Sequence, residues 1–176
     1  MSNLPTAPHR PRILHVTSAL DPGGIETWLG RLLSIPEGRP LLGGVVVLSP
    51  REGLLAPQFR ERGVSIHCVP TSRNPLRFVL NLAHALRRTG PWDIVHSHVY
   101  RRSALVHLAS MLARVPLRVT HSHNTRGQET ASRNPLRGIL AWLATIWINA
   151  VSDVRIACSR DAAVSLFQKS ALNDQE

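Results

Sequence analysis

Two His-Ser-His triplets, His96-Ser97-His98 and His121-Ser122-His123, are the residues of this chain best suited to chemistry. Side chains of an extended segment alternate between faces, so the period of two puts both histidines of a triplet on one side. Should the two segments be neighbours, four imidazoles converge. Imidazoles titrate near neutrality and hydrogen-bond hydroxyls and phosphate oxygens. They also ligate divalent ions, and His-x-His at a strand end is a common way of holding zinc. A metal-dependent hydrolase using His96, His98, His121 and His123 is therefore one reading, although neither triplet has an acid or a thiol between its histidines. Histidines satisfied in a core, or facing solvent, are the plain alternative.

The pair Gly23-Gly24 is the second chemical feature. It lies where an apolar strand gives way to a helix, a corner at which backbone can approach a phosphate or sugar and aim N–H groups at it. An ordinary tight turn would use the same residues. Arg101-Arg102 follow His98-Val99-Tyr100 at a helix start, where an anion would meet guanidinium charge and free N–H groups. Cys158-Ser159-Arg160-Asp161 reads as a helix entry with Ser159 as cap, and nothing specifies a cysteine nucleophile.

The elements that must position these groups follow from periodicity. Apolar strands, Gly/Pro or polar corners and helix-period segments alternate, which is the βαβ pattern. Strands are expected at 12–18, 44–49, 64–69, 93–97, 117–121 and 154–158. Their Val/Ile/Leu runs suit a parallel sheet covered on both faces. In the first helix Ile25, Trp28, Leu29, Leu32 and Leu33 form one face for docking, with Glu26 and Arg31 turned out. The hexapeptide Ser-Arg-Asn-Pro-Leu-Arg occurs at 72–77 and 132–137; Asn as cap and Pro as first helical residue explain both copies. The segment 124–134 is polar and aperiodic, the longest expected loop. In open parallel sheets ligands bind beyond the carboxyl ends of strands, where both triplets and the glycine pair fall.

Composition narrows the classes. With 176 residues and 43% apolar content the chain fits one globular domain. The net charge of +10 invites a nucleic-acid partner, but the cations are dispersed, and a single Tyr and three Phe offer little base-stacking surface. No nucleic acid is expected. Residues 1–11 form a polar, Pro-rich tail without signal-peptide character, and 171–176 a polar tail. The run Ile139–Val151 falls short of the ~20 residues of a spanning helix. Its near-uniform apolarity suits burial, with an interfacial helix on an anionic bilayer, flanked by Arg133 and Arg137, as the alternative. Cys68 and Cys158 read as buried strand residues in a reducing compartment.

With these pieces placed, the chain resembles the amino-terminal half of GT-B glycosyltransferases of the large retaining group (glycosyltransferase family 4, group 1 type) that includes bacterial exopolysaccharide and cell-wall enzymes. The resemblance rests on Arg-Ile-Leu-His-Val at 12–16, Gly23-Gly24-Ile25-Glu26-Thr27, Asp93-Ile94-Val95-His96-Ser97-His98, the stretch from Arg118 to Thr125, and Ala157-Cys158-Ser159. It implies a Rossmann-like domain over 12–170 that binds a carbohydrate or lipid-linked acceptor and closes over a sugar-nucleotide donor held mainly by a second domain. It further implies His98, His121 and His123 as active-site histidines, and Gly23, Gly24, Glu26, Tyr100, Arg101 and Asn124 as substrate-binding residues. No cofactor is implied beyond the nucleotide sugar as substrate. The expected place is cytoplasmic, with peripheral contact at the inner face of the membrane as an option. The second domain and its paired-glutamate motif are not within these residues; Glu52 and Glu61 are nine apart and lie in the wrong half. Alone, this polypeptide is therefore expected to transfer no sugar at a useful rate; a non-catalytic Rossmann module that binds an anion or a carbohydrate is the alternative beside the metal-dependent hydrolase.

Overall fold

The structure is a computed structural model that describes residues 10–123 and 135–167. Expectations for the tails at 1–9 and 168–176, for Asn124 and for the rest of 124–134, including the Asn134 cap, lie outside the described residues. Strands and helices alternate throughout: β1 (Ile13–Thr17), α1 (Gly24–Ser34), β2 (Gly44–Val47), α2 (Ala56–Glu61), β3 (Ser65–Cys68), α3 (Pro75–Thr89), β4 (Ile94–Ser97), α4 (Ser103–Leu112), β5 (Leu117–Ser122), α5 (Pro135–Val151), β6 (Val154–Ala157) and α6 (Arg160–Phe167). Short 3-10 turns occupy Arg39–Leu41 and Tyr100–Arg102.

The strands form one sheet in the order β3-β2-β1-β4-β5-β6, and every pairing is parallel. The chain winds outward from β1 to β3, then crosses back to place β4 on the other side of β1. That reversal opens a crevice at the carboxyl ends of β1 and β4. Leu14, Val16 and Val95 point to one face and pack with Phe78, Leu82, Leu86 and Val106 of α3 and α4. Val45, Val47 and Ile66 point to the other and pack with Leu29 and Leu33 of α1 and Phe59 of α2. Burying each such side chain is worth ~1.5–3 kcal/mol before chain entropy is counted. The expected asparagine cap forms on α3, where the Asn74 side chain accepts from the Arg77 N–H at 3.2 Å and Pro75 takes the first helical position.

Three details differ from the sequence reading. Glu26 turns inward to 9% exposure, while Trp28, 38% exposed, lies over histidines of β1, β4 and β5. Cys68 and Cys158 are exposed, because Cys68 ends the short edge strand β3 and Cys158 lies just beyond the other edge strand, β6. The helix α5 is not enclosed: Leu136, Ile139, Leu140, Trp142 and Leu143 are exposed, whereas Thr145 and Ile148 are buried. Apolar character all round a helix therefore hides only one side of it here.

The loop after β1 is braced by the loop after β2. Leu20 N–H donates to the Glu52 carbonyl and the Leu55 N–H donates to the Leu20 carbonyl, both at 2.8 Å. Asp21 takes a bidentate pair from Arg51 at 3.0 and 2.8 Å and a third bond from the Leu54 N–H. This brace turns on Gly53, whose φ of +110° is left-handed and whose Cβ, if present, would lie 2.4 Å from the Leu20 carbonyl carbon. Gly53→Ala is expected to lower the unfolding free energy by ~1–3 kcal/mol or more, through backbone strain and the clash together. An unshifted urea midpoint would show that this crossing does not hold the loop.

Candidate functional site

Parallel register sets the geometry of the crevice. His15 of β1 is opposite His96 of β4, and Ser97 is opposite Thr120 of β5. One step further out, His98 and His121 are therefore side by side, with ring centroids 5.3 Å apart. Alternation sends Ser97 and Ser122 to the opposite face, where they bond the Ser103 hydroxyl (2.8 Å) and the Ala162 carbonyl (2.7 Å). The histidines of both triplets thus share one face, as the spacing predicts, and His15 joins them. Neighbouring rings approach to 4.3 Å for His96–His98 and 3.9 Å for His121–His123. Trp28 of α1 covers the group, its ring centroid 5.5 Å from His121 and 5.8 Å from His98.

The rings satisfy one another in a directed chain. The Leu41 carbonyl can only accept, so His15 must carry its proton on Nε2, 2.9 Å away. A neutral His15 then offers a lone pair on Nδ1, which accepts from His98 Nε2–H at 3.0 Å. The lone pair of His98 Nδ1 in turn accepts from His123 Nε2–H, also at 3.0 Å. Tautomers are thereby assigned by their partners from the backbone outward. Burial keeps the rings neutral: it lowers His15 from 6.5 to about 4, against a smaller opposing effect of the Leu41 carbonyl. Burial, then the neighbouring imidazoles, push His96 down to about 2 and His121 to about 4. The same causes hold His98 well below its ordinary value, and burial lowers His123. Two nitrogens, His96 Nε2 and His121 Nδ1, are buried without a hydrogen-bond partner among the described residues.

The glycine corner borders this cluster. Gly24, Ile25, Glu26, Trp28, His121, His123 and Cys158 line an open cleft of about 620 Å³. A Cβ on Gly23 would meet Glu26 Oε2 at 2.5 Å, so the missing side chain there makes room for the carboxylate, which also accepts from the Thr17 hydroxyl at 2.8 Å. Gly24 has nothing within 4 Å of its Cβ position and faces open space. The first amides of α1, from Gly24 on, have no intrahelical acceptor. The arrangement offers a carboxylate, an indole face, helix amides and neutral imidazoles, a set suited to hydroxyls and oxyanions.

Other candidates fall elsewhere. Tyr100 holds a φ of 50°, turning the chain from β4 into α4. Its ring is buried with Ala104, Ile148, Leu166 and Phe167, and its hydroxyl donates to the Ser165 carbonyl at 3.1 Å. The Arg101 guanidinium lies 5.1 Å from the Tyr100 ring centroid. Asn124 lies outside the described residues. Two contributors escaped the sequence reading, His15 and Trp28, and Cys158, which that reading set aside as a nucleophile, also lines the cleft. His15 alternates with Leu14 and Val16, a signal that it leaves the apolar face, but only the strand order shows which neighbours it meets.

A doubly wound parallel sheet with a polar cleft at its reversal point, beside a glycine-led helix, defines a Rossmann-like α/β domain. The chain belongs to the Glycosyl transferase 4-like domain family, whose sequence model matches residues 43–171. It is 30% identical over 161 residues to EpsF of Bacillus subtilis (strain 168), named as a glycosyltransferase, covering 90% of this chain and 41% of that protein. Anabaena Alr3699/HepE in complex with UDP and glucose has the same fold, at TM-score 0.61 and 16% identity over 90% of this chain and 41% of that one. The same protein in complex with UDP gives a TM-score of 0.62 at 18% identity, covering 89% and 40%. The chain therefore spans about two fifths of these relatives' length and has the Rossmann-like architecture of one half of a GT-B fold.

Neutral burial has a consequence for stability. His15, His96 and His121, together with His107 (lowered to about 4 chiefly by burial), bind protons more weakly folded than unfolded. Their contribution is complete above the unfolded value of 6.5 and is lost as pH falls from there toward the folded values. Each contributes a slope approaching ~1.4 kcal/mol per pH unit in that window. Urea unfolding at about pH 7 and about pH 5 is expected to show a steep loss at the lower pH. Equal stability at both would mean that the rings are not buried uncharged.

Proposed function

We propose that this chain supplies the acceptor-side wall of a glycosyltransferase cleft, in which a sugar passes from a sugar nucleotide to a carbohydrate or lipid-linked acceptor. The observation that carries the proposal is the shared rim. The cleft beside the glycine corner holds Glu26, Trp28, His121 and His123 in a chain of a glycosyltransferase family. HepE, with the same fold, binds UDP and glucose, which supports a uridine nucleotide sugar as donor. On this reading the open approach at Gly24 and the first amides of α1 face the donor diphosphate. Glu26 and the outer imidazoles of His121 and His123 bond sugar hydroxyls, and His98 fixes His123 from behind. Gly23 acts by leaving room for the Glu26 carboxylate, and Tyr100 by turning the chain from β4 into α4; for Arg101 and for Asn124, next to His123 in sequence, a substrate-binding role rests on the family resemblance alone.

Transfer then proceeds with retention. The leaving phosphate takes the acceptor proton on the face from which it departs, and fixed donors stabilise the developing charge in place of a dedicated protein base. On this reading a second domain holds most of the nucleotide, and the nucleotide sugar is a substrate rather than a cofactor. The purified chain is expected to release no UDP from UDP-glucose above background in the presence of acceptor; clear turnover would overturn the division of labour between two domains. Binding is expected nonetheless: glucose or UDP-glucose should change the tryptophan emission of the chain but not of its Trp28→Phe variant. Identical responses of the two proteins would remove the cleft assignment.

The exposed face of α5 supports contact with an anionic lipid surface at the cytoplasmic side of a membrane. Leu136, Ile139, Leu140 and Leu143 follow i, i+3, i+4, i+7 spacing, Trp142 flanks them, and the helix has no acidic residue in a chain of net charge +10. No described helix is long and apolar enough to cross a membrane. The chain is expected to co-sediment with vesicles containing phosphatidylglycerol and less with neutral ones. Replacing Leu140 and Leu143 with Ser should abolish the difference, and equal recovery with both lipid types would exclude the contact.

A further inference from the structure

We propose that His98, His121 and His123 form a binding site for one divalent transition-metal ion at the inner end of the cleft. Each offers a nitrogen, and these nitrogens lie within 4.8 Å of one another. His15, His96 and His98 meet the same distance condition, but all three are buried, whereas His121 and His123 also line the open cleft. An ion can therefore reach the outer set directly.

The existing hydrogen bonds suit such an ion. Three nitrogens bound tetrahedrally at the ~2.0–2.1 Å of zinc–imidazole bonds stand ~3.3 Å apart. His98 Nδ1 and His123 Nε2 are 3.0 Å apart, so a metal replaces the shared proton with little movement of the rings. His123 remains neutral by moving its own proton to Nδ1. His121 has a buried Nδ1 with no hydrogen-bond partner among the described residues, so that nitrogen has no protein partner to abandon. An outer shell is already present: His98 donates its other N–H to His15, which donates to the Leu41 carbonyl. Ligating histidines are held in this way, with the second nitrogen bonded outward.

Charge and ligand type define the ion. Uncharged rings near neutral pH need no deprotonation before binding. The carboxylate of Glu26 in the same cleft offsets part of the ion's charge, and the cleft that His121 and His123 line has room for water or a ligand oxygen beside the ion. A set of imidazoles selects Zn²⁺, Co²⁺ or Ni²⁺ and discriminates against Mg²⁺ and Ca²⁺, which require oxygen ligands. This inference rests on the rings alone and holds whether or not the chain acts on sugars.

Equilibrium dialysis of the purified chain against Zn²⁺, with Mg²⁺ as control, tests the site. One tightly held zinc per chain and no retained Mg²⁺ are expected. His123→Gln and His121→Gln should each weaken zinc binding by more than the ~10–100-fold typical of outer-shell changes, while His15→Gln falls in that range. Substitution of the exposed His84 by Gln should leave binding unchanged. Because buried histidines are risky to replace, the unmodified chain provides a second measurement. Bound Co²⁺ should shift the imidazole proton resonances of His98, His121 and His123 strongly and those of His67 and His84 little. Absence of zinc binding below ~1 mM, where affinity is only ~4 kcal/mol, would overturn the proposal. So would cobalt shifts centred on His67 and His84, or on His15 and His96. Loss of the sugar response of Trp28 with zinc binding intact would count against the glycosyl-transfer reading alone.

Discussion

The burial of uncharged imidazoles beneath Trp28 is the constraint on which the site depends. Over β1, β4 and β5 this layer would ordinarily be filled with aliphatic side chains, as it is over β2 and β3 by Val45, Val47 and Ile66. Here it is filled with rings that are polar at two edges and flat on both faces. They pack by stacking, and they meet their polar requirement by bonding each other. An N–H···N bond between two imidazoles exists only while one ring keeps a lone pair, so desolvation and hydrogen bonding demand the same protonation state. A comparable group of carboxylates, or of lysines, would repel.

That layer can be polar because the rest of the sheet is not. The other face carries Leu14, Val16 and Val95 into a continuous apolar core with α3 and α4, and the α1–α2 side is sealed by Leu29, Leu33 and Phe59. The polar cleft is thus confined to the rim where the strand order reverses. The Asp21–Arg51 pair and the crossing at Gly53 tie the loop before α1 to the loop after β2, so Trp28 is presented from a braced helix rather than from a free one.

Much of this was legible in the residues. All six strands start and stop within two residues of the expected places, because Gly, Pro and polar corners punctuate short aliphatic runs. The His-x-His period put both histidines of each triplet on one side of its strand, since alternation leaves no freedom, and the β4–β5 pairing brings the two triplets together. What escaped required knowledge of neighbours. His15 is an isolated histidine in an apolar strand until β1 is known to lie beside β4. Glu26 reads as a solvent-side helix residue until Gly23 is seen to leave space for its carboxylate and Thr17 to donate to it. Helix α5 misled for a different reason: hydropathy reports what a side chain prefers, not whether the described residues provide cover. Residues 124–134 carry the remaining candidate, Asn124, beyond what the described structure addresses.

The last strand of the sheet has its own implication. Among the described residues β6 pairs only with β5, and Val154 and Ile156 are 47% and 37% exposed along it. A bare, apolar margin of this kind invites backbone pairing with whatever extended segment arrives first. Between those two residues stands Arg155, whose charge repeats from copy to copy and discourages two such margins from zipping together. At this margin the guard against such zippering is a guanidinium, on the strand whose next residue, Ile156, is the register partner of His121.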